Sequence, residues 1–186
     1  PEKDLNRERI IINPNKNPFL NINLPNGIEK LSNREIEANL GKIVKSTNIK
    51  NDISVCLNQA SSAELLALKV KRNFNQSLEI VIPSIEGKSI SSRVLLLIEE
   101  GAKLDLLQIF TGNNNSAQNH LIEIKLESKV ELTHALISLG EEKESSSICT
   151  LAVEQSEKSK YSLHSIHHGW DYARFEPRII QSAGEA

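Results

Sequence analysis

The sequence predicts a mainly β fold in which a short helical N-terminal region precedes a long series of strands. Three observations support this prediction: a helix start signal near residue 32, a change of hydrophobic periodicity near residue 64, and a loose repeat among the later strands. The 186 residues are 39% hydrophobic and 25% charged, which is the balance of a folded globular chain rather than a disordered one.

Residues 1–25 are rich in Asn and Pro, which favour turns over regular elements. We therefore expect a poorly ordered lead-in, with one strand at residues 9–12. Ser32 and Glu35 then have the spacing of a capping box, and a stripe of apolar side chains follows at helical spacing. This pattern predicts an amphipathic helix over residues 33–45.

Beyond residue 64 apolar and polar side chains alternate, as in Leu66, Leu68 and Val70, and this period of two is typical of strands. The sequence therefore divides into an N-terminal region, residues 1–63, that is partly helical, and a β region, residues 64–186. Nine strands are predicted in the β region, at residues 66–71, 78–82, 92–99, 103–110, 120–127, 130–139, 147–154, 160–167 and 172–181.

A loose repeat appears among these strands. Lys103-Leu104-Asp105-Leu106 recurs as Lys129-Val130-Glu131-Leu132 and as Lys160-Tyr161-Ser162-Leu163, at offsets of 26 and 31 residues. A repeat of this length is typical of a β-solenoid, whose coils stack equivalent strands on one another. Half-buried strands of an antiparallel sandwich alternate in the same way, so periodicity alone leaves both architectures open.

Charge and composition exclude several partners and compartments. The net charge of -2 and the pI near 6.3 give no basic excess for nucleic acid, and the longest apolar runs are far shorter than the roughly 20 residues that cross a bilayer. The N-terminus lacks a secretory signal and the chain has only two cysteines, which favours a reducing cytosolic compartment. The absence of Met and the ending at Gly184-Glu185-Ala186 suggest an excised fragment.

Three histidines near residue 165 are the first candidates for a metal site. On a strand His164 and His168 face one side and His167 the other, so at most two imidazoles converge locally. A zinc or iron site needs three or four ligands, so His120 or His134 would have to contribute. We interpret the group as solvated or core-rim histidines, keep a metal site as the alternative, and assign no metal ligand.

The other reactive side chains do not form a recognisable constellation. Cys56 and Cys149 lack the close spacing of cluster ligands, and we interpret both as buried, inert thiols. The adjacent acids at 99–100 and 141–142 would point to opposite faces of a strand, so we interpret them as solvated corners. Neither a phosphate-binding GxxxxGK[ST] loop nor a GxSxG elbow occurs. We therefore predict no catalytic and no cofactor-binding residue.

The run from Arg93 to Leu104, RVLLLIEEGAKL, resembles a strand and corner that are typical of the SufB/SufD family of iron–sulfur cluster assembly proteins. Further stretches resemble that family in the same order, so that the resemblance spans residues 28–186. The short connection from Phe110 to His120 is more similar to the SufD branch than to SufB. The further stretches are LNQA at 57–60, LEI at 78–80, the strand at 119–126 and YSLHS at 161–165.

This resemblance implies a right-handed parallel β-helix preceded by a helical region, and it favours the solenoid over the sandwich. It also implies a non-catalytic scaffold subunit of a SufBCD-type complex in the cytoplasm or plastid stroma. In the family a SufB-type sister subunit pairs through the β-helix, and a SufC-type ATPase binds a C-terminal helical region. The functional Cys and His positions of the family lie beyond residue 186, so no active residue is carried over and no cofactor is expected; the cluster is the product of the complex.

Two other functions remain as alternatives. A carbohydrate-active β-helix enzyme would need aromatic platforms and paired acids, whereas aromatic residues make up only 4% of the chain. A metal-binding cupin-like sandwich would use the histidines. If the solenoid is cut at residue 186, its last coil exposes unpaired strands, so we also expect the fragment to self-associate.

Overall fold

A computed structural model describes residues 7–12, 24–61, 64–141, 144–182 and 184. The lead-in predicted for residues 1–25 falls largely outside these residues, but its strand at 9–12 is found as β1. In chain order the elements are β1 (Arg7–Ile11), β2 (Ile28–Lys30), α1 (Asn33–Asn39), α2 (Lys42–Ser46), α3 (Ile53–Ser61), β3 (Glu64–Val70), β4 (Asn75–Pro83), β5 (Ser89–Ile98), β6 (Lys103–Thr111), β7 (Ala117–Leu126), β8 (Glu131–Leu139), β9 (Ser146–Gln155), β10 (Lys160–His168) and β11 (Tyr172–Gln181).

The strands form two sheets that enclose a lumen. One sheet has five strands in the order β1-β4-β6-β8-β10, and the other has six in the order β11-β9-β7-β5-β3-β2. Every pairing is parallel except that of β2 with β3. From β3 onward the chain alternates between the sheets, which makes a parallel β-solenoid of about four turns. The solenoid prediction is confirmed, and the antiparallel and cupin-like sandwiches are wrong.

All nine strands predicted beyond residue 64 are present, but the helical region differs from its prediction. The helix predicted at 33–45 starts with the expected capping box and is interrupted after α1, where Leu40 is extended and Gly41 has a φ of 76°. The helix α3 was missed because its buried face includes polar Ser54 and Asn58 instead of an apolar stripe.

The strand register corrects the repeat seen in the sequence. Lys103 pairs with Glu131, which pairs with Lys160, so successive coils differ by 28 and 29 residues rather than 26 and 31. The second copy was misaligned by two residues. Because strand side chains alternate with a period of two, a shift of two leaves every residue on its correct face, so periodicity cannot detect it.

Each coil has two corners of different regularity. The first corner, which leads from the six-stranded to the five-stranded sheet, has four residues in every coil: 71–74, 99–102, 127–130 and 156–159. Its third residue is always left-handed, at Asn73, Gly101, Lys129 and Lys158. The second corner varies in length and spans residues 84–88, 112–116, 140–145 and 169–171. Because the first corner has the same length in every coil, it keeps the strands of successive coils in register.

The apolar side chains form two cores. The larger core fills the lumen, where rows such as Val94, Ile122 and Leu151 stack from coil to coil. The smaller core lies outside the six-stranded sheet, where Val44 and Val55 of the helices meet Leu95 and Leu121 of the strands. The helices therefore cover the outer face of the six-stranded sheet. None of the described helices is long and apolar enough to cross a lipid bilayer.

Candidate functional site

The outer face of the five-stranded sheet presents a row of aliphatic side chains, one from each strand. The residues of this aliphatic ladder are in register from β1 to β10: Ile11, Val81, Ile109, Ile137 and Ile166. Its end members are 55% and 59% exposed, and its three inner members are half-buried. Strands lie about 4.8 Å apart, so the ladder extends for roughly 19 Å along the solenoid axis. An apolar strip of this kind marks a surface suited to protein contact.

Apolar side chains at neighbouring outward positions widen the aliphatic ladder, and a charged pair borders it. Leu107 and Ala135 flank the ladder on one side, and Leu139, which is 42% exposed, lies on the other. The Arg9–Glu79 ion pair, with an N–O distance of 3.0 Å, borders the strip at β4. An apolar centre with a charged edge is the usual anatomy of a protein interface.

The remaining half of this face is polar. A groove of about 350 Å³ lies there, and the Lys103 ammonium pairs with the Glu131 carboxylate across it at 3.2 Å. None of the described residues that line the groove is aromatic, so it lacks the stacking platform that the carbohydrate-active alternative requires. The lining residues are Asn75, Gln76, Ser77, Lys103, Leu104, Asp105, Glu131 and Thr133.

On the opposite face a buried carboxylate fastens the helices to the solenoid. Glu123 of β7 accepts hydrogen bonds from the Gly41 amide at 3.0 and 3.1 Å and from the Val44 amide at 3.3 Å. Arg93 of β5 donates to the same carboxylate at 2.6 Å. The first amides of α2 and the buried charge are thus satisfied together, which fastens the helices to the outer side of the six-stranded sheet.

A second polar contact joins α3 to the last strand. Asp52 accepts a hydrogen bond from the Ser54 amide at 2.9 Å and another from the Arg174 guanidinium of β11 at 2.8 Å. The Ser54 hydroxyl and Arg174 together lower the pKa of Asp52 to about 2. The helical layer is therefore attached along the solenoid as far as β11.

Two histidines that were candidate ligands of a metal site lie inside the lumen instead. The His120 ring stacks on Phe110 with a centroid distance of 4.0 Å, and its nitrogens lie 2.7 Å from Ser92 Oγ and Gln118 Oε1. Burial lowers the pKa of His120 to about 3. His120 is therefore a neutral, hydrogen-bonded core residue.

His134 is the second buried histidine. Its Nδ1 lies 2.9 Å from the Tyr161 hydroxyl, and burial lowers its pKa to about 4. His167 also faces inward, against Phe175, whereas His164 and His168 are exposed on the outer face. The candidate imidazoles are thus divided between the two sides of the sheet, and the described residues contain no cluster of three or more metal-ligating side chains.

The two cysteines have different environments. Cys149 is fully buried in the lumen, as predicted, and burial raises the pKa of its thiol. The prediction that Cys56 is buried is wrong, because Cys56 lies on the exposed side of α3. Helical geometry places it away from the buried Ser54, Val55 and Asn58.

The acidic pair at residues 99–100 has ion-pair partners, and the Glu99 carboxylate lies 3.7 Å from the Lys71 ammonium. Glu100 lies in a first corner and pairs with Lys129 of the next coil at 2.9 Å. Glu141 is exposed in a second corner, while Glu142 lies outside the described residues. These acids do not converge on the groove or on the ladder.

The fold and this surface define a β-solenoid protein with one face covered by helices and one open, partly apolar face. The chain belongs to the SufBD core domain family of the SUF system for FeS cluster assembly, whose family model matches residues 80–186. Membership assigns the chain to iron–sulfur cluster assembly. Among curated proteins and solved structures, no match was found.

Proposed function

We propose that this chain is a non-catalytic scaffold subunit, of the SufD type, in a SufBCD-type iron–sulfur cluster assembly complex of the cytoplasm or plastid stroma. The observation that supports the role best is the aliphatic ladder on the open face of a SufBD-family solenoid. The SufD type is favoured by the short corner between β6 and β7, which spans only residues 112–116.

The ladder is well suited to binding because it is already ordered. Four of the five strands that carry the ladder are nine residues long, and all five belong to one continuous parallel sheet. Every side chain of the ladder is Ile or Val. Branching at Cβ restricts these side chains to few rotamers. A partner therefore meets a surface that loses little conformational entropy on association.

The size of the face indicates the kind of partner. Four strands of nine residues and one of five, spaced by about 4.8 Å with about 3.3 Å per residue, give a face of roughly 650 Å². A standard protein interface buries about 800 Å² on each partner. We propose that a sister subunit of the SufBD family occupies it, because a second solenoid offers a sheet face of matching length and flatness.

The non-catalytic part of the proposal is supported by the distribution of titratable groups. Perturbed acids and bases gather in a cleft when they serve catalysis. Here Asp52 caps a helix, and His120 and His134 lie in the closed lumen with protein partners. Their perturbed pKa values have structural causes, which are local hydrogen bonds for Asp52 and burial for the two histidines.

The test is co-expression of the protein with the SufB-type and SufC-type proteins of the same organism, followed by mass measurement of the eluted complex. Ile137→Glu puts a charge in the ladder, and Thr133→Glu puts the same charge on the polar half of the same strand. We expect wild type and Thr133→Glu to elute with the sister subunit and Ile137→Glu to lose it, while both variants keep the same melting temperature.

Two results would contradict the proposal. Full retention of the sister subunit by Ile137→Glu would exclude the ladder as the contact. Elution of the wild-type chain alone, or ATP hydrolysis by the purified chain, would exclude the scaffold role itself.

A further inference from the structure

The lumen contains buried polar side chains without a hydrogen-bond partner in the part of the chain that the structure describes. They include both polar atoms of the Gln108 amide, Nε2 of His134, and the hydroxyls of Ser138 and Ser147. All four residues are at most 1% exposed. Buried polar groups in folded proteins nearly always have a protein or water partner, so these atoms require one.

Three of these side chains are neighbours on the five-stranded sheet. Gln108 of β6 is paired in register with Leu136 of β8. His134 and Ser138 lie two positions before and after Leu136, so they face the same side as Gln108. Diagonal neighbours of this kind are about 7–8 Å apart, a distance that a single bridging molecule can span.

The same region changes abruptly in side-chain size from one coil to the next. In one coil the rings of Phe110 and His120 stack across the lumen. In the next coil the equivalent positions hold Ser138 and Cys149. Two rings are thus replaced by two small side chains.

The layer with small side chains has larger ones on both sides. Ser147 takes the position that Gln118 has in the coil before, and the coil after again pairs two rings, His167 and Phe175, at 4.7 Å. The middle layer therefore contains about a dozen fewer non-hydrogen side-chain atoms than the layer before it, in an interior that is otherwise close-packed. Polar atoms without partners line this layer.

We propose that ordered water binds inside the lumen, in the layer of Ser138 and Ser147 and beside the amide of Gln108. Apolar cavities stay empty, but a buried polar cavity takes up water that makes about three hydrogen bonds. The amide, hydroxyl and imidazole groups are neutral donors and acceptors, which suit water and offer no charge to hold an ion in a low-dielectric interior. This internal hydration site is independent of the scaffold role.

The test is a set of high-resolution crystal structures of the wild-type protein and two variants. Ser138→Ala removes a hydroxyl whose only proposed partner is water. Ser92→Ala is the control, because the Ser92 hydroxyl already bonds to His120. We expect wild-type water density within about 2.7–3.2 Å of Ser138 Oγ and a second polar atom of the site. This density is lost in Ser138→Ala and kept in Ser92→Ala.

Magnetic relaxation dispersion of water provides the same comparison in solution, where long-lived internal waters are counted directly. We expect fewer long-lived waters in Ser138→Ala than in wild type and an unchanged number in Ser92→Ala. A wild-type lumen without water, with these side chains paired to one another in other rotamers, would overturn the proposal. An unchanged water count in Ser138→Ala would overturn it as well.

Discussion

The buried Glu123 carboxylate and the Arg93 guanidinium form an ion pair with an N–O distance of 2.6 Å on the helix-covered face of the solenoid. The same carboxylate caps α2, which precedes it by about 80 residues in the chain. One side chain therefore balances a charge between two coils and attaches the helical layer to both.

We expect Glu123→Gln to destabilise the protein by about 3 kcal/mol, because removal of one partner leaves the Arg93 charge mostly buried and uncompensated. The matched control is Glu131→Gln, which removes the half-exposed ion pair between Glu131 and Lys103. This change should lower the free energy of unfolding by about 1 kcal/mol or less. Urea unfolding of both variants measures the difference. Equal losses of unfolding free energy in the two variants would show that the buried Glu123 carboxylate stabilises the protein no more than an exposed ion pair does.

Stability should fall as the pH drops from 6.5 to 4.5. Burial lowers the pKa of His120 to about 3 and that of His134 to about 4, so the unfolded chain, with histidine pKa near 6.5, binds protons that the native chain does not. Each histidine contributes a slope of about 1.4 kcal/mol per pH unit. The acid Asp52, with a pKa of about 2, affects only lower pH.

Unfolding free energies measured across this pH range test the slope. The variant His134→Gln should have a shallower slope than wild type, whereas His164→Gln, which changes an exposed side chain, is the control and should keep the wild-type slope. A flat profile in wild type would mean that the buried histidines can be protonated in the native state.

The two thiols should react at very different rates. Cys56 is exposed and should react with a thiol reagent in the native protein, whereas Cys149 is fully buried and should react only after unfolding. The measurement is reagent consumption before and after addition of denaturant, with Cys56→Ser as the control that removes the fast phase. Rapid native reaction of both thiols would contradict the closed lumen.

Gly140→Ala should disturb the last coil. The added Cβ would lie 2.2 Å from the Gly169 carbonyl oxygen and 2.7 Å from the Trp170 ring. The Gly169 backbone and the Trp170 ring must therefore shift, which lowers the free energy of unfolding by about 1–3 kcal/mol. Trp170 is the only tryptophan, and its emission should shift to longer wavelength as the ring is displaced.

The control for this experiment is Gly101→Ala. A Cβ at Gly101 meets nothing within 4 Å, and only its φ of 75° is unfavourable, by roughly 1–2 kcal/mol. The Trp170 emission should therefore remain unchanged in the control. If both variants give the wild-type spectrum, the Trp170 ring does not pack against Gly140.

The strands beyond residue 64 could be predicted because each alternates between the lumen and the outside, and that alternation is visible in the chain. The helix α3 could not. Its inner side chain Asn58 donates to the Ser92 carbonyl at 3.0 Å and to the Asn119 carbonyl at 2.8 Å, contacts that depend on distant strands. A polar residue in such a position gives no hydrophobic signal.

The aliphatic ladder could not be predicted either, although all five of its residues lie in predicted strands. An outward Ile109 or Ile137 is indistinguishable in sequence from an inward one until the strand register is known. The 28-residue pairing of Val81 with Ile109, and of Ile109 with Ile137, is what aligns them. The repeat in the sequence suggested a different offset and so did not reveal this row.

The unequal corners of the coils determine where the protein can accept insertions during evolution or engineering. An extra residue in a four-residue first corner would turn the following strand over and bring its lumen side chains to the outside. The second corner already ranges from three residues at 169–171 to six at 140–145, while the strands on either side remain paired in register. New loops, epitope tags or whole inserted domains should therefore be tolerated at the second corners and rejected at the first.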